Sequence, residues 1–147
     1  MNLKELNLLF QRDLEKLGQE LAAYSEEENL WIVDKEIANS AGNLALHLFG
    51  NLRTFIGLDL GGIPYERNRE REFGAKGEPR SALLEELEEV KKIVANTLLG
   101  LDPNRMGDRS FHAFFGHSMT IGFFLIHLYG HFNYHLGQIN YHRRLLA

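Results

Sequence analysis

Apolar residues recur at helical spacing along four separate stretches of the chain, and no stretch shows a strong two-residue strand period. Leu3, Leu6, Leu9, Phe10, Leu14, Leu17 and Leu21 return every three or four residues up to about Tyr24, which predicts a first amphipathic helix. A second is expected from about Ile37 to Leu60, with Ala41, Leu44, Ala45, Leu48, Leu52, Phe55 and Ile56 on its apolar face and Gly61-Gly62 as its stop. Ser81 is the expected N-cap of a third helix reaching Leu99, with Leu83, Leu84, Leu87, Val90, Val94, Thr97 and Leu98 inward. Its early Glu85, Glu86, Glu88 and Glu89 complement the helix dipole. The fourth helix is expected from Met119 or Thr120 to Leu145.

The segments between these stretches are short of periodicity. Ser25 to Asp34 holds a solvated acidic run, Glu26-Glu27-Glu28, followed by Trp31, Ile32 and Val33, which read as an apolar plug on one end of the fold. Gly61 to Arg80, rich in Gly and charge, is expected to be an irregular connection. Gly100 to Ser118 is a second connection broken by Pro103 and Gly107, with Phe111-His112-Ala113-Phe114-Phe115 as a short extended piece. The expected fold is all-α, a four-helix bundle forming one domain over residues 1–147. The connection between the second and third helices exceeds ordinary bundle loops, so it is expected to cross over and leave those two helices parallel.

Composition narrows the chemistry. A formal charge of −4 and no clustered basic face argue against a nucleic-acid partner. The absence of cysteine removes disulfides, thiolate zinc sites, iron–sulfur clusters and cysteine nucleophiles, so any metal must be held by nitrogen and oxygen. Met119 to Tyr129 is far shorter than the roughly 20 apolar residues of a membrane span, so no membrane partner is expected. With no basic n-region and apolar h-region at the start, a cytoplasmic location is expected.

Histidine placement is the strongest chemical signal. His127, His131 and His135 are spaced by four, so each consecutive pair shares a helix face within reach of one ion. His127 and His135 lie about 12 Å apart along the axis, so only one adjacent pair can chelate. A third ligand must come from another helix, and His47 in Leu46-His47-Leu48 is the histidine placed mid-helix among apolar residues there. The competing reading is a hydrogen-bonded core histidine plus histidines on a wet helix face. Glu-x-x-His pairs, HExxH, G-x-S-x-G, P-loop and GxGxxG patterns are all absent.

The string His131-Phe132-Asn133-Tyr134-His135-Leu136-Gly137-Gln138-Ile139 resembles the HxxxHxGQI signature on the last helix of the DinB-like superfamily. His47 within Leu44 to Arg53 resembles that superfamily's second-helix ligand segment, and Arg67 to Phe73 resembles the crossover loop of one branch. The resemblance implies an up-down-down-up bundle, often paired as a homodimer, with His47, His131 and His135 holding a divalent transition metal such as zinc, nickel or iron. His127 then becomes a spare residue beside the pocket. Gly137 is expected to allow close helix approach and Gln138 to orient a ligand or a water, with packing and capping as the alternatives.

Three neutral imidazoles leave coordination positions open, which favours catalysis over a closed structural site. The resemblance implies a metal-dependent enzyme acting on a small molecule, either a transferase using a low-molecular-weight thiol or a hydrolase. Asn51, Arg53 and Tyr134 complete the candidate pocket residues, with exposed or packing roles as the alternative for Arg53 and Tyr134. The reading from another functional class is a non-catalytic helical bundle serving dimerisation or partner binding.

Overall fold

Asn2 opens the first helix by accepting the Glu5 amide on its side-chain oxygen, and α1 then runs over Leu3–Ala22. The computed structural model describes residues 1–113 and 116–146, and among these the protein is mostly helical. After a 3₁₀ turn over Glu27–Trp31 come α2 (Ala41–Leu52), continued as a π-helical turn over Arg53–Leu58, the short α3 (Arg69–Gly74), α4 (Arg80–Gly100), a second 3₁₀ turn (Pro103–Gly107) and α5 (Ile121–Leu145). The β-pairing described is one isolated bridge between Arg109 and Thr120. The fold is all-α, with four long helices, and no helix among the described residues is long and apolar enough to cross a membrane.

Capping chemistry sets the boundaries. Ser40 accepts the Asn43 amide at 3.1 Å, so α2 starts at Ala41 and not at Ile37. Its far end passes Leu52 without a break, because the Asp59 and Gly61 amides reach back five residues, to Thr54 and Ile56. Gly62, at φ 65°, ends the run. Ser81 is not a cap: α4 begins at Arg80 with Pro79 in the capping position, leaving Ser81 inside the first turn. Thr120 caps α5 by accepting the Phe123 amide.

The apolar stripes meet in one core that includes Phe10, Leu14, Leu17, Phe49, Leu52, Val90, Leu98, Leu125 and Phe132. All of Ala41–Leu52 is buried, so α2 is packed on every side rather than along one stripe. Leu9 departs from the expected core and is 37% exposed. The expected plug is also narrower than its sequence: Leu30 is buried and Trp31 packs against Gly42, while Val33 faces solvent.

Contacts between side chains give the helix directions. Gln11 meets Lys91, Gly18 meets Leu87 and Arg80 meets the end of α1, so α1 and α4 run antiparallel. Arg53 meets Glu89, Gly57 meets Ile93 and Gly61 meets Thr97, so α2 and α4 run parallel. Asp13 with Asn133 and Glu20 with Asn140 set α1 parallel to α5, and the pairs His47–His131 and Phe55–Phe124 set α2 antiparallel to α5.

The Gly61 to Arg80 connection is not wholly irregular, because α3 forms within it. Asn68 caps this helix by accepting the Arg71 amide, and Asn43 of α2 donates to the carbonyls of Glu72 and Ala75, tying α3 against α2. The expected extended piece at 111–115 is described through Ala113, where no strand forms; Phe114 and Phe115 lie outside the described residues.

Candidate metal centre

His47 lies midway along α2, 8% exposed, where the helix crosses α5. His131 and His135 project toward it from successive turns of α5. The His47 and His131 Nε2 atoms stand 3.2 Å apart, and one ring nitrogen from each of the three histidines falls within 4.8 Å of the others. Imidazole nitrogens sharing a tetrahedral ion at about 2.0–2.1 Å stand roughly 3.3–3.4 Å apart, so the first pair already has the edge length of such a site. The three histidines are close enough to hold a metal ion.

Two hydrogen bonds orient this set. His47 Nδ1 lies 3.0 Å from Glu72 Oε1, which assigns the proton to Nδ1 and leaves Nε2 with a lone pair toward the other rings. His135 Nδ1 lies 2.7 Å from Gln138 Oε1, and an amide oxygen can only accept, so the same tautomer follows there. His131 has no such support: its Nδ1 is buried and makes no hydrogen bond. The donor set, three nitrogens with two held in the metal-binding tautomer, suits a borderline divalent ion.

Burial favours the neutral form of His131 and His135. Burial pushes His131 down to about 4, and the neighbouring charges of His135, His47, His127 and Arg67 add to that. Burial also lowers His135, opposed by its bond to Gln138 and reinforced by His47. Neutral imidazole is the metal-binding form.

Glu72, 3% exposed, is the buried anion behind His47. Arg67 grips its two oxygens in a fork, both bonds 2.9 Å. Burial alone would raise this carboxyl, but the hydrogen bonds from His47 and Arg67 and their charges together outweigh it and hold it below the usual range. The carboxylate lies directly over Gly50, where a methyl group would overlap it. A glycine inside a helix costs about 1 kcal/mol against alanine, so this one has a packing reason.

Sequence reasoning passed over Glu72, Arg67 and Gly50. The available signals were Gly50, set three residues beyond His47 in an apolar helix, and Asn68 opening a run of strong helix formers. Nothing in the alternating charges marked Glu72 apart from Glu70 or Glu66.

The remaining expected residues divide. His127 and Asn51 line a cavity of about 370 Å³ that opens beside His47 and His131, and His127 stacks on Phe124 at 14°. Gln138 touches His135 directly. Arg53 turns away toward α4, bonded to Glu89 at 2.7 Å and lying over Tyr65. Tyr134 is 66% exposed, with its ring against His135. Gly137 makes no close approach, since a methyl group there would meet nothing within 4 Å.

A family model described as a protein of unknown function, DUF1572, matches residues 2–147. No curated protein matches the sequence.

Proposed function

The chain belongs to the DUF1572 family, and from that premise we propose that it is a metal-dependent enzyme in which His47, His131 and His135 hold one divalent transition ion beside a substrate cavity. The observation carrying this reading is the convergence of three imidazoles from two helices, one of them backed by a buried carboxylate. A core histidine needs one hydrogen-bond partner; it does not need two more histidines facing its second nitrogen.

We read the four long helices as a single bundle running up, down, down and up. The parallel contacts of α2 with α4 and of α1 with α5, and the antiparallel contacts of the other neighbours, support that arrangement. The His131 to Ile139 string on α5, with His47 on α2, supports placing the chain in the DinB-like superfamily. Zinc, nickel or iron suits an all-nitrogen donor set. Bound there, such an ion supplies a Lewis acid with positions left for a small molecule.

The protein's own contribution is orientation. Glu72 holds His47 in one tautomer, Arg67 keeps Glu72 ionised, Gln138 fixes His135, and Phe55 and Phe124 form an apolar wall on the cavity. The proposed chemistry is transfer or hydrolysis involving a low-molecular-weight thiol. Phe123, Ile126, Tyr134 and Tyr141 are exposed along one face of α5, which favours a homodimer paired through that helix.

The test is elemental analysis of tag-free protein after reconstitution with each candidate ion, comparing wild type with His47→Ala and His131→Ala. Near-stoichiometric metal in wild type, lost in both variants with helical circular dichroism retained, is the expected result. A wild type that takes up no ion after reconstitution sinks the reading.

A further inference from the structure

Asn43, His47 and Gly50 fall at positions i, i+4 and i+7 of α2, on one helix face, and α3 meets that face at all three. Asn43, 5% exposed, donates through Nδ2 to the Glu72 carbonyl at 3.0 Å and to the Ala75 carbonyl at 2.9 Å. Its Oδ1 accepts from the Ser40 hydroxyl at 2.6 Å, which assigns the carboxamide with its nitrogen toward α3. His47 meets the Glu72 carboxylate, and Gly50 leaves the space which that carboxylate fills. Phe73 completes the contact, its ring centroid 5.0 Å from that of His47.

The six residues of α3 are far fewer than the roughly 12–15 that a helix needs to persist alone in water, so α3 keeps its shape by being docked. Arg71 adds ties to Glu78 and to Glu86 of α4. The placement of α3 also matters to the cavity, because Arg67, just before it, and Arg69, its first residue, line that cavity beside His47.

His47 is held from two sides: Nδ1 faces Glu72 on α3, and Nε2 faces His131 on α5. A carboxylate on Nδ1 makes Nε2 a stronger ligand, and drawing electron density from Nε2, as a bound ion does, makes the Nδ1 proton a stronger donor to the carboxylate. Such coupling is reciprocal. Whatever factor the docked α3 adds to ion affinity, the ion adds to the docking of α3.

We propose that Asn43 is a positioning residue of the metal centre: by docking α3 it sets Glu72 on His47, so that ion occupancy and the placement of one cavity wall are a single linked equilibrium. The inference rests on reading His47 as a metal ligand. Asn43 does not line the cavity, so it acts on the site through α3.

The test is a double-mutant cycle. Zinc affinity is measured in competition with a chromophoric chelator on tag-free wild type, Asn43→Ala, Glu72→Gln and the double variant, with helical circular dichroism as the check on folding. Asn43→Ala should weaken zinc about tenfold, the scale of lost support for a metal-bound histidine. In the Glu72→Gln background the same substitution should change affinity less than about twofold, because the charge that reaches His47 is already gone. In wild type, zinc should also slow hydrogen exchange of the Glu72 and Ala75 amides, bonded to the Asn68 and Arg71 carbonyls, by about the same tenfold that reciprocity requires. Should Asn43→Ala not fold, Asn68→Ala takes its place: it removes the exposed cap of α3 and should weaken zinc about threefold, again only where Glu72 is intact.

Zinc uptake with equal weakening in both backgrounds, with no weakening in either, or with α3 exchange indifferent to zinc overturns the proposal and leaves the metal reading standing. No zinc uptake by wild type removes both.

Discussion

Two buried carboxylates, Asp13 on α1 and Glu72 on α3, are held by the same kinds of force and end differently. Asp13, 1% exposed between α1 and α5, accepts from Arg12, the Tyr129 hydroxyl and the Asn133 amide. Glu72, 3% exposed between α3 and α2, accepts from Arg67 and His47. Burial opposes the charge in both, and hydrogen bonds and charges outweigh it in both, so each carboxyl titrates below its usual range. The difference is where the network stops. Around Asp13 the partners close on one another, since Arg12 also donates to the Tyr129 hydroxyl and Asn133 to the Tyr129 carbonyl, giving a closed clamp. Behind Glu72 the chain of bonds passes through an imidazole and emerges on a nitrogen facing two more histidines. A buried ion pair is therefore no sign of function by itself; what its far end presents is.

Asp13→Ala should expose the first half of that contrast most strongly. Stranding the Tyr129 hydroxyl and the Asn133 amide should cost about 3 kcal/mol in urea unfolding, with metal content per chain unchanged. A drop in metal content at intact fold would mean that the clamp also aims His131 and His135, between which Asn133 lies on α5.

Glu72→Gln tests the other half. The amide oxygen can still accept from His47, but the negative charge is gone, so metal affinity in competition with a chromophoric chelator should fall tenfold to a hundredfold. Helical circular dichroism should be retained. An unchanged affinity would reduce Glu72 to a strap holding α3 in place.

Acid should take the two sides apart in sequence, with a smaller loss at any one pH. In metal-free protein His131 titrates near 4 folded and 6.5 unfolded, so the unfolded chain binds more protons between those values. Stability therefore declines as pH falls from about 6.5 toward 4, and His135 adds to the same limb. The carboxylates come later: their contribution is full above the ordinary values of 3.8 and 4.5 and is lost as pH falls through the lower folded ones. His131→Ala should flatten the first limb and leave the second. Unfolding free energies across this range check both.

The contrast also explains which features could be read in advance. The α1 and α4 stripes, and most of α5, were legible because amphipathic periodicity is a local property, and the histidines because an i, i+4 pair and a mid-helix histidine are local too. Leu9 shows the limit: it fits the period, but the stripe is wider than the surface available to bury it. The start of α2 turned on the choice of Ser40 as cap, and its π-helical end on hydrogen bonds set by packing against α4. Glu72 was hidden for a stronger reason. In Glu66 to Glu72 three acids alternate with arginines, and only the docking of α3, through Asn43, decides which is buried. Neither long-range event leaves a period in the sequence.

The smallest effect sharpens the comparison at two glycines. Gly50 is required by Glu72, whereas Gly137, inside the HLGQI string, has open space around the position of a side chain. In the isolated chain Gly137→Ala should therefore stabilise α5 by up to about 1 kcal/mol, since a helix interior favours alanine by that much. Gly137 shares the outward face of α5 with Phe123, Tyr134 and Tyr141. If thermal unfolding of dilute protein rises as expected while the dimer fraction in sedimentation falls, the glycine serves a close approach between two copies. If unfolding rises and association is unchanged, the face that matters on α5 is the inner one, where His131 and His135 meet His47.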